Sequence, residues 1–267
     1  MVIVTKCVNM VSSKEGARQL PNQHHKDPQR RRSKQQERAE QILDVAAALI
    51  VRWGYSKTTL DDIAKQVGVA KGTIYLHWKS REDLFLALLT REELKLLEDT
   101  KQRIANDPGG LTFHGYLKHN MLAFMKSPVM KALLLNDTEI LGPLVSRTQS
   151  STTFTERIAN SRLLLEFLRT YGIAGAEFDI REQIYILSAI WMGFLLIDPW
   201  MPDEYQFSDE AVAEMLAETV ERLLAPHHMA SEKAGDTGTA QQVAEALTRY
   251  IDQEVNTLKR TQKEVQV

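Results

Sequence analysis

Between Thr58 and Phe85 the chain reads TTLDDIAKQVGVAKGTIYLHWKSREDLF, and this stretch constrains the fold more than any other. Leu60, Ile63, Ala64 and Val67 recur at three- and four-residue spacing, which puts them on one helix face with Asp61, Asp62, Lys65 and Gln66 facing outward. The hydroxyls of Thr58 and Thr59 can cap the first exposed N–H groups, and the two aspartates follow at the positive end of the helix dipole. Gly68 can take the left-handed conformation that ends a helix, with Val69 plugging the corner. From Lys71 a second helix is predicted to run through Trp78. It would turn Ile74 and Trp78 inward and leave Lys71, Thr73, Tyr75, His77 and Lys79 projecting. Two short one-sided helices joined at a glycine fit a helix-turn-helix, whose second helix enters a DNA groove, but they also fit ordinary packing in a helical bundle.

The preceding residues discriminate between the two. Arg38 to Trp53 predicts a further helix, with Ile42, Val45, Ala46, Leu49, Ile50 and Trp53 on one stripe and Gly54 ending it, so that three helices form a compact headpiece. The run ILDVAAALIVRWGYSKTTLDDIAKQVGVAKGTIYLHWKSREDLFLALL resembles the DNA-binding domain of the TetR family of bacterial transcriptional regulators over roughly Arg38 to Leu89. The resemblance is carried by Gly54-Tyr55, the Thr58-Thr59 cap, Ile63-Ala64, Gly68-Val69, Lys71-Gly72-Thr73 and the run Tyr75 to Ser80. Trp78 stands where that pattern more often has Phe. Thr58, Thr59, Lys71, Gly72, Thr73, Tyr75, His77, Lys79 and Arg81 are the residues expected at double-stranded DNA.

Charge divides the chain in the same place. Of 267 residues, the first 81 hold 15 Lys and Arg against 7 Asp and Glu, while the remainder holds 18 against 28. A basic end favours a polyanion and an acidic remainder would be repelled by one. The expected organisation is a flexible basic segment over 1–33, the headpiece over 34–80, a helical body over 81–226, and a linker with an extra helix over 227–267. Arg30-Arg31-Arg32-Ser33-Lys34 fits either a basic arm lying along DNA or a solvated charge run. The opening apolar run is too short for a signal peptide, and Ala189 to Ile197 is far below the ~18 residues that cross a bilayer, so a cytoplasmic protein is expected. Cys7 is the single cysteine, which excludes an intrachain disulfide and a thiolate zinc site.

The body reads as all-α. Ser80 is predicted to cap a long helix to about Ala105, and Asn106-Asp107-Pro108-Gly109-Gly110 breaks it. Further helices are predicted at about Leu111–Lys126, Pro128–Asn136, Leu141–Tyr171, Asp179–Ile197 and Ser208–Leu224, with no strand-like alternation and no phosphate-binding glycine loop. The last two carry apolar stripes, and the resemblance implies that such a pair forms a four-helix homodimer interface. Ile184, Leu187, Trp191, Val212, Leu216, Val220 and Leu223 are expected there, beside core packing that takes part of the stripe.

The resemblance also implies a small-molecule pocket in the body. Phe113, Tyr116, His119, Met121, Phe124, Met125, Thr138, Phe154, Arg162, Trp191 and Phe194 are its candidate lining, and each fits a plain core position as well. Their balance favours a mainly apolar ligand. The implied function is a repressor that binds a palindromic operator as a homodimer and is released when the ligand shifts the connecting helix. An activator, or a ligand-independent protein acting through protein partners, is the alternative. No cofactor is expected. An enzyme is disfavoured because no nucleophile has a motif around it, and the adjacent pairs His24-His25 and His227-His228 lack metal-ligand spacing. Ala240 to Lys263 predicts an extra helix whose stripe, Val243, Leu247, Ile251, Val255 and Leu258, must be covered by the body, the dimer or another dimer.

Overall fold

The computed structural model describes residues 28–135, 152–224 and 237–265. Thr138, the side chain of Phe154, Cys7, both histidine pairs and the 226/227 boundary lie outside the described residues. The described residues form ten α-helices: α1 (Pro28–Trp53), α2 (Leu60–Val67), α3 (Lys71–Tyr75), α4 (Arg81–Ala105), α5 (Phe113–Met125), α6 (Pro128–Leu135), α7 (Thr152–Thr170), α8 (Ile180–Leu196), α9 (Asp209–Leu224) and α10 (Thr237–Val265). Two short 3-10 turns join α8 to α9. There is no strand among the described residues, and no helix there is long and apolar enough to cross a membrane.

α1 is longer than expected. It begins at Pro28, so residues 28–33 are helical, and proline is well suited to a first helical turn, where its missing N–H has no partner to lose. From Arg38 onward the headpiece builds one core. Ile42, Leu43, Ala46, Leu49 and Ile50 of α1 pack on Leu60 and Ile63 of α2, Ile74 of α3, Trp78, and Leu84, Phe85 and Leu88 of α4. The first two turns of α4 are therefore headpiece core, and its remaining turns belong to the body.

The long α4 is capped as predicted, Ser80 Oγ accepting from the Asp83 N–H at 3.1 Å. α8 starts with a capping box between Asp179 and Glu182. The extra helix α10 lies against α4 and α7, burying Val243, Leu247, Ile251, Val255 and Leu258. Val255 and Leu258 meet Leu94 and Leu97 of α4, Lys101 pairs with Asp252 at 2.7 Å, and Val265 packs on the headpiece core.

Candidate nucleic-acid interface and cavity

The turn between α2 and α3 follows from local chemistry. Thr59 Oγ1 accepts from the Asp62 N–H at 3.2 Å, and the Asp62 carboxylate accepts from the Thr59 N–H at 3.3 Å, so two orphan donors are satisfied reciprocally. Gly68 closes the helix at φ +77°, its N–H reaching the Ala64 carbonyl at 3.0 Å. α3 spans only Lys71–Tyr75, shorter than the predicted run to Trp78.

Lys71, Gly72, Tyr75 and Lys79 are exposed on this surface, Thr59 is exposed at the start of α2, and Thr73 is half-buried. Lys71 Nζ lies 2.8 Å from Asp61, whose hydrogen bond raises the lysine's pKa, and the pair is solvated. Leu76 is also exposed, which the periodicity does not predict, because the helix stops before it.

Three residues depart from their expected placement. Thr58 is fully buried, its hydroxyl donating to the Gly54 carbonyl at 2.8 Å, so it ties the end of α1 to the start of α2. His77 is buried against the Trp78 ring, at 5.3 Å between centroids, because the short α3 turns it inward. Its pKa is lowered first by burial and then by Arg38. Arg81 donates to the carbonyls of Tyr55 at 2.6 Å and Thr58 at 3.2 Å, and its guanidinium lies 4.0 Å from the Tyr55 ring centroid, so it clamps the α1–α2 turn onto α4. A second clamp, Arg91, is buried on α4 and reaches Glu40 at 3.1 Å and Asp44 at 2.8 Å on α1, with Glu92 beside it. Nothing in its local sequence distinguishes Arg91 from a surface arginine.

A cavity of about 460 Å³ opens between α4, α5, α7, α8 and α10, with Met130 of α6 and Leu216 and Val220 of α9 completing its wall. Phe113, Tyr116, Phe124 and Trp191, four of the candidate lining residues, face it. Phe124 meets Trp191, and Tyr116 meets Tyr250, in edge-to-face pairs at 4.9 and 5.7 Å. Burial raises the pKa of both tyrosines, so their phenols stay neutral.

The remaining described candidates fall elsewhere. Met121 is fully buried in the core, while Met125 and Phe194 line a separate cavity of about 390 Å³. Arg162 is exposed and paired with Glu166. His119 is buried but bonds Asp107 at 2.8 Å, fastening α5 to the loop after α4. That carboxyl is held below its usual pKa first by the Gly109 N–H and then by His119. In place of these the cavity has a charged trio that the sequence reading missed. Arg157 of α7 bonds both oxygens of Glu93 (α4), at 3.2 and 3.1 Å, and Glu254 (α10) at 3.0 Å. Their separations of 64 and 97 residues leave no local signal.

Of the residues expected between two copies, Val212, Leu216 and Val220 are buried inside this chain's own cores, and Leu223 is half-buried. Ile184, Leu187 and Trp191 line the cavity. Apolar residues left exposed here are Tyr185, Leu196 and Ile197 on and after α8, Trp200, Met201, Tyr205 and Phe207 in the connection, and Met215 of α9. Among the described residues one group has metal-ligand proximity, His114 with Glu218 and Glu221, but His114 is held by Glu214 and Glu221 at 3.0 Å each and Glu218 by Arg222.

Comparison with known proteins converges on the headpiece. The family model of bacterial regulatory proteins of the TetR family matches residues 42–88. The chain is similar to the fatty acid metabolism regulator protein of Bacillus subtilis (strain 168), 39% identical over 64 residues, 24% of this chain and 33% of that protein. It is also similar to the transcriptional regulator AcrR of Shigella flexneri, 41% identical over 81 residues, 30% and 38% of the two chains. The matched part thus spans about a third of these relatives' length. Beyond it the likeness is one of fold: a transcriptional regulator from Streptomyces coelicolor superimposes with TM-score 0.51 at 22% identity, over 69% of this chain and 97% of that one.

Proposed function

We propose, for a chain that belongs to the TetR family of bacterial regulatory proteins, that it is a repressor which binds a palindromic operator as a homodimer and is released by a small molecule. The observation that carries this reading is the shared use of α4. Leu84, Phe85 and Leu88 at its start are headpiece core, and Glu93, Leu96 and Leu97 two turns later are cavity wall. A ligand that prefers a shifted α4 moves the headpiece with it, and its effect on DNA affinity is bounded by that difference in affinity.

DNA contact is assigned to Thr59, Lys71, Gly72, Thr73, Tyr75 and Lys79, with Thr58, His77 and Arg81 holding the surface from behind. A Cβ built on Gly72 meets nothing within 4 Å, so the chain's own packing does not require a glycine there, whereas a partner backbone pressed against α3 would. Dimerisation is assigned to the exposed face of Tyr185, Leu196, Ile197 and Met215, which takes the place of the inward residues of α9. The test is duplex binding by full-length protein against salt. Lys79→Ala should reduce the magnitude of the log–log slope by about 1 and weaken operator and random duplex alike, whereas Tyr75→Ala should weaken the operator more. An unchanged slope for Lys79→Ala removes that lysine from the interface.

A further inference from the structure

Resting on the reading that this cavity holds the effector, we infer that the effector is an organic monocation with an aromatic or apolar body, whose charge is read by Glu93 and Glu254. Among the described residues, the trio of Glu93, Arg157 and Glu254 contains all the acidic and basic residues in the cavity lining. One guanidinium between two carboxylates leaves a single negative charge in excess. Glu254 is almost fully buried, with its second oxygen accepting from Asn160, a neutral donor, at 3.0 Å. A carboxylate in that setting is poorly solvated, and an entering cation restores the balance without displacing either ion pair. An entering anion would have to take Arg157 from Glu93 or Glu254 and leave a carboxylate unpaired beside it.

The walls agree with the charge count. Tyr116 and Tyr250 stand edge to face next to the trio, and the Phe124–Trp191 pair lines the same cavity, so aromatic rings are available to a cation's body as well as beside its charge. Glu93 lies on α4 and Glu254 on α10, which makes the charge-reading groups part of the two helices that continue to the headpiece.

The test uses three probes that share one body and differ in head group: 4-phenylbutylamine, 4-phenylbutanol and 4-phenylbutyrate, titrated calorimetrically into full-length protein at neutral pH. The amine should bind at least about ten-fold tighter than the alcohol, with butyrate weakest. Glu93→Gln keeps an oxygen acceptor for Arg157 and removes one charge, so it should bring amine and alcohol within about two-fold while leaving the melting temperature of the free protein near that of wild type. If Glu93→Gln does not fold, Glu254→Gln carries the same expectation. Equal affinity of the three probes, preference for butyrate, no binding of the amine up to about 1 mM, or an amine preference that survives both substitutions overturns the inference. Duplex binding of the same sample without probe is a separate readout. If it is retained while the amine fails, the regulatory reading stands and the ligand class falls.

Discussion

Gly68 and Gly72 sit four residues apart and answer to different constraints. Gly68 holds φ at +77°, so Gly68→Ala is expected to cost ~1 kcal/mol through backbone strain alone, since its Cβ would have open space. Gly72 is helical with nothing near it, so Gly72→Ala should leave thermal stability equal or raised by up to ~1 kcal/mol while weakening duplex binding at least ten-fold, about 1.4 kcal/mol. Thermal melts paired with fluorescence anisotropy separate the two, and a Gly72→Ala variant with full DNA affinity would contradict the assigned contact. His77 gives a pH signature. Its folded pKa lies below the usual 6.5, so as pH falls through that value the unfolded chain takes up a proton that the folded chain resists. Stability should therefore drop as pH falls below about 6.5, and His77→Gln should flatten that part of the curve. Parallel curves would remove His77 as the cause. The caps at Thr59, Gly68 and Ser80 were legible because each acts on its own neighbours. Thr58, His77 and Arg81 were not, since burial decides their roles and the register of a five-residue helix cannot be read from periodicity.

Helices were the most legible scale. The starts of α4 and α8 and the breaks after α2 and α4 follow from capping and glycine–proline chemistry, and the long apolar stripe of α10 required a cover. Which surface covered it was not legible, because α4 and α7 offer that surface only once they have packed. Ending the chain at Leu224 should uncover Leu94 and Leu97, open the cavity and lower the melting temperature by more than about 10 °C. An unchanged melt would show that α10 carries no stability. The stripe of α9 shows the opposite limit. Val212, Leu216 and Val220 repeat as an interface stripe would, but periodicity gives a buried face without saying what buries it, and here the chain's own α5 does. The face left exposed predicts that Tyr185→Glu converts a dimer into a monomer, seen as a halved mass in light scattering, while far-UV circular dichroism stays unchanged. A dimer that survives this change places the interface elsewhere.

At the scale of the whole molecule, sequence separation sets what can be read. A headpiece folded from about fifty consecutive residues announces itself through local spacing, and its match over residues 42–88 follows from that. The cavity is assembled from seven helices, and its charged trio joins residues 64 and 97 positions apart, so its chemistry exists only after folding. The basic first 81 residues and the acidic remainder describe a molecule that approaches a polyanion by one end. The central claim, that this end reads a specific duplex as one half of a symmetric pair, is tested most directly by selecting bound fragments from a random duplex pool with the full-length protein. A recovered palindrome with half-sites ~34 Å or a multiple apart is the predicted result, and a bound pool with no enriched sequence, or an enriched site without twofold symmetry, would contradict it.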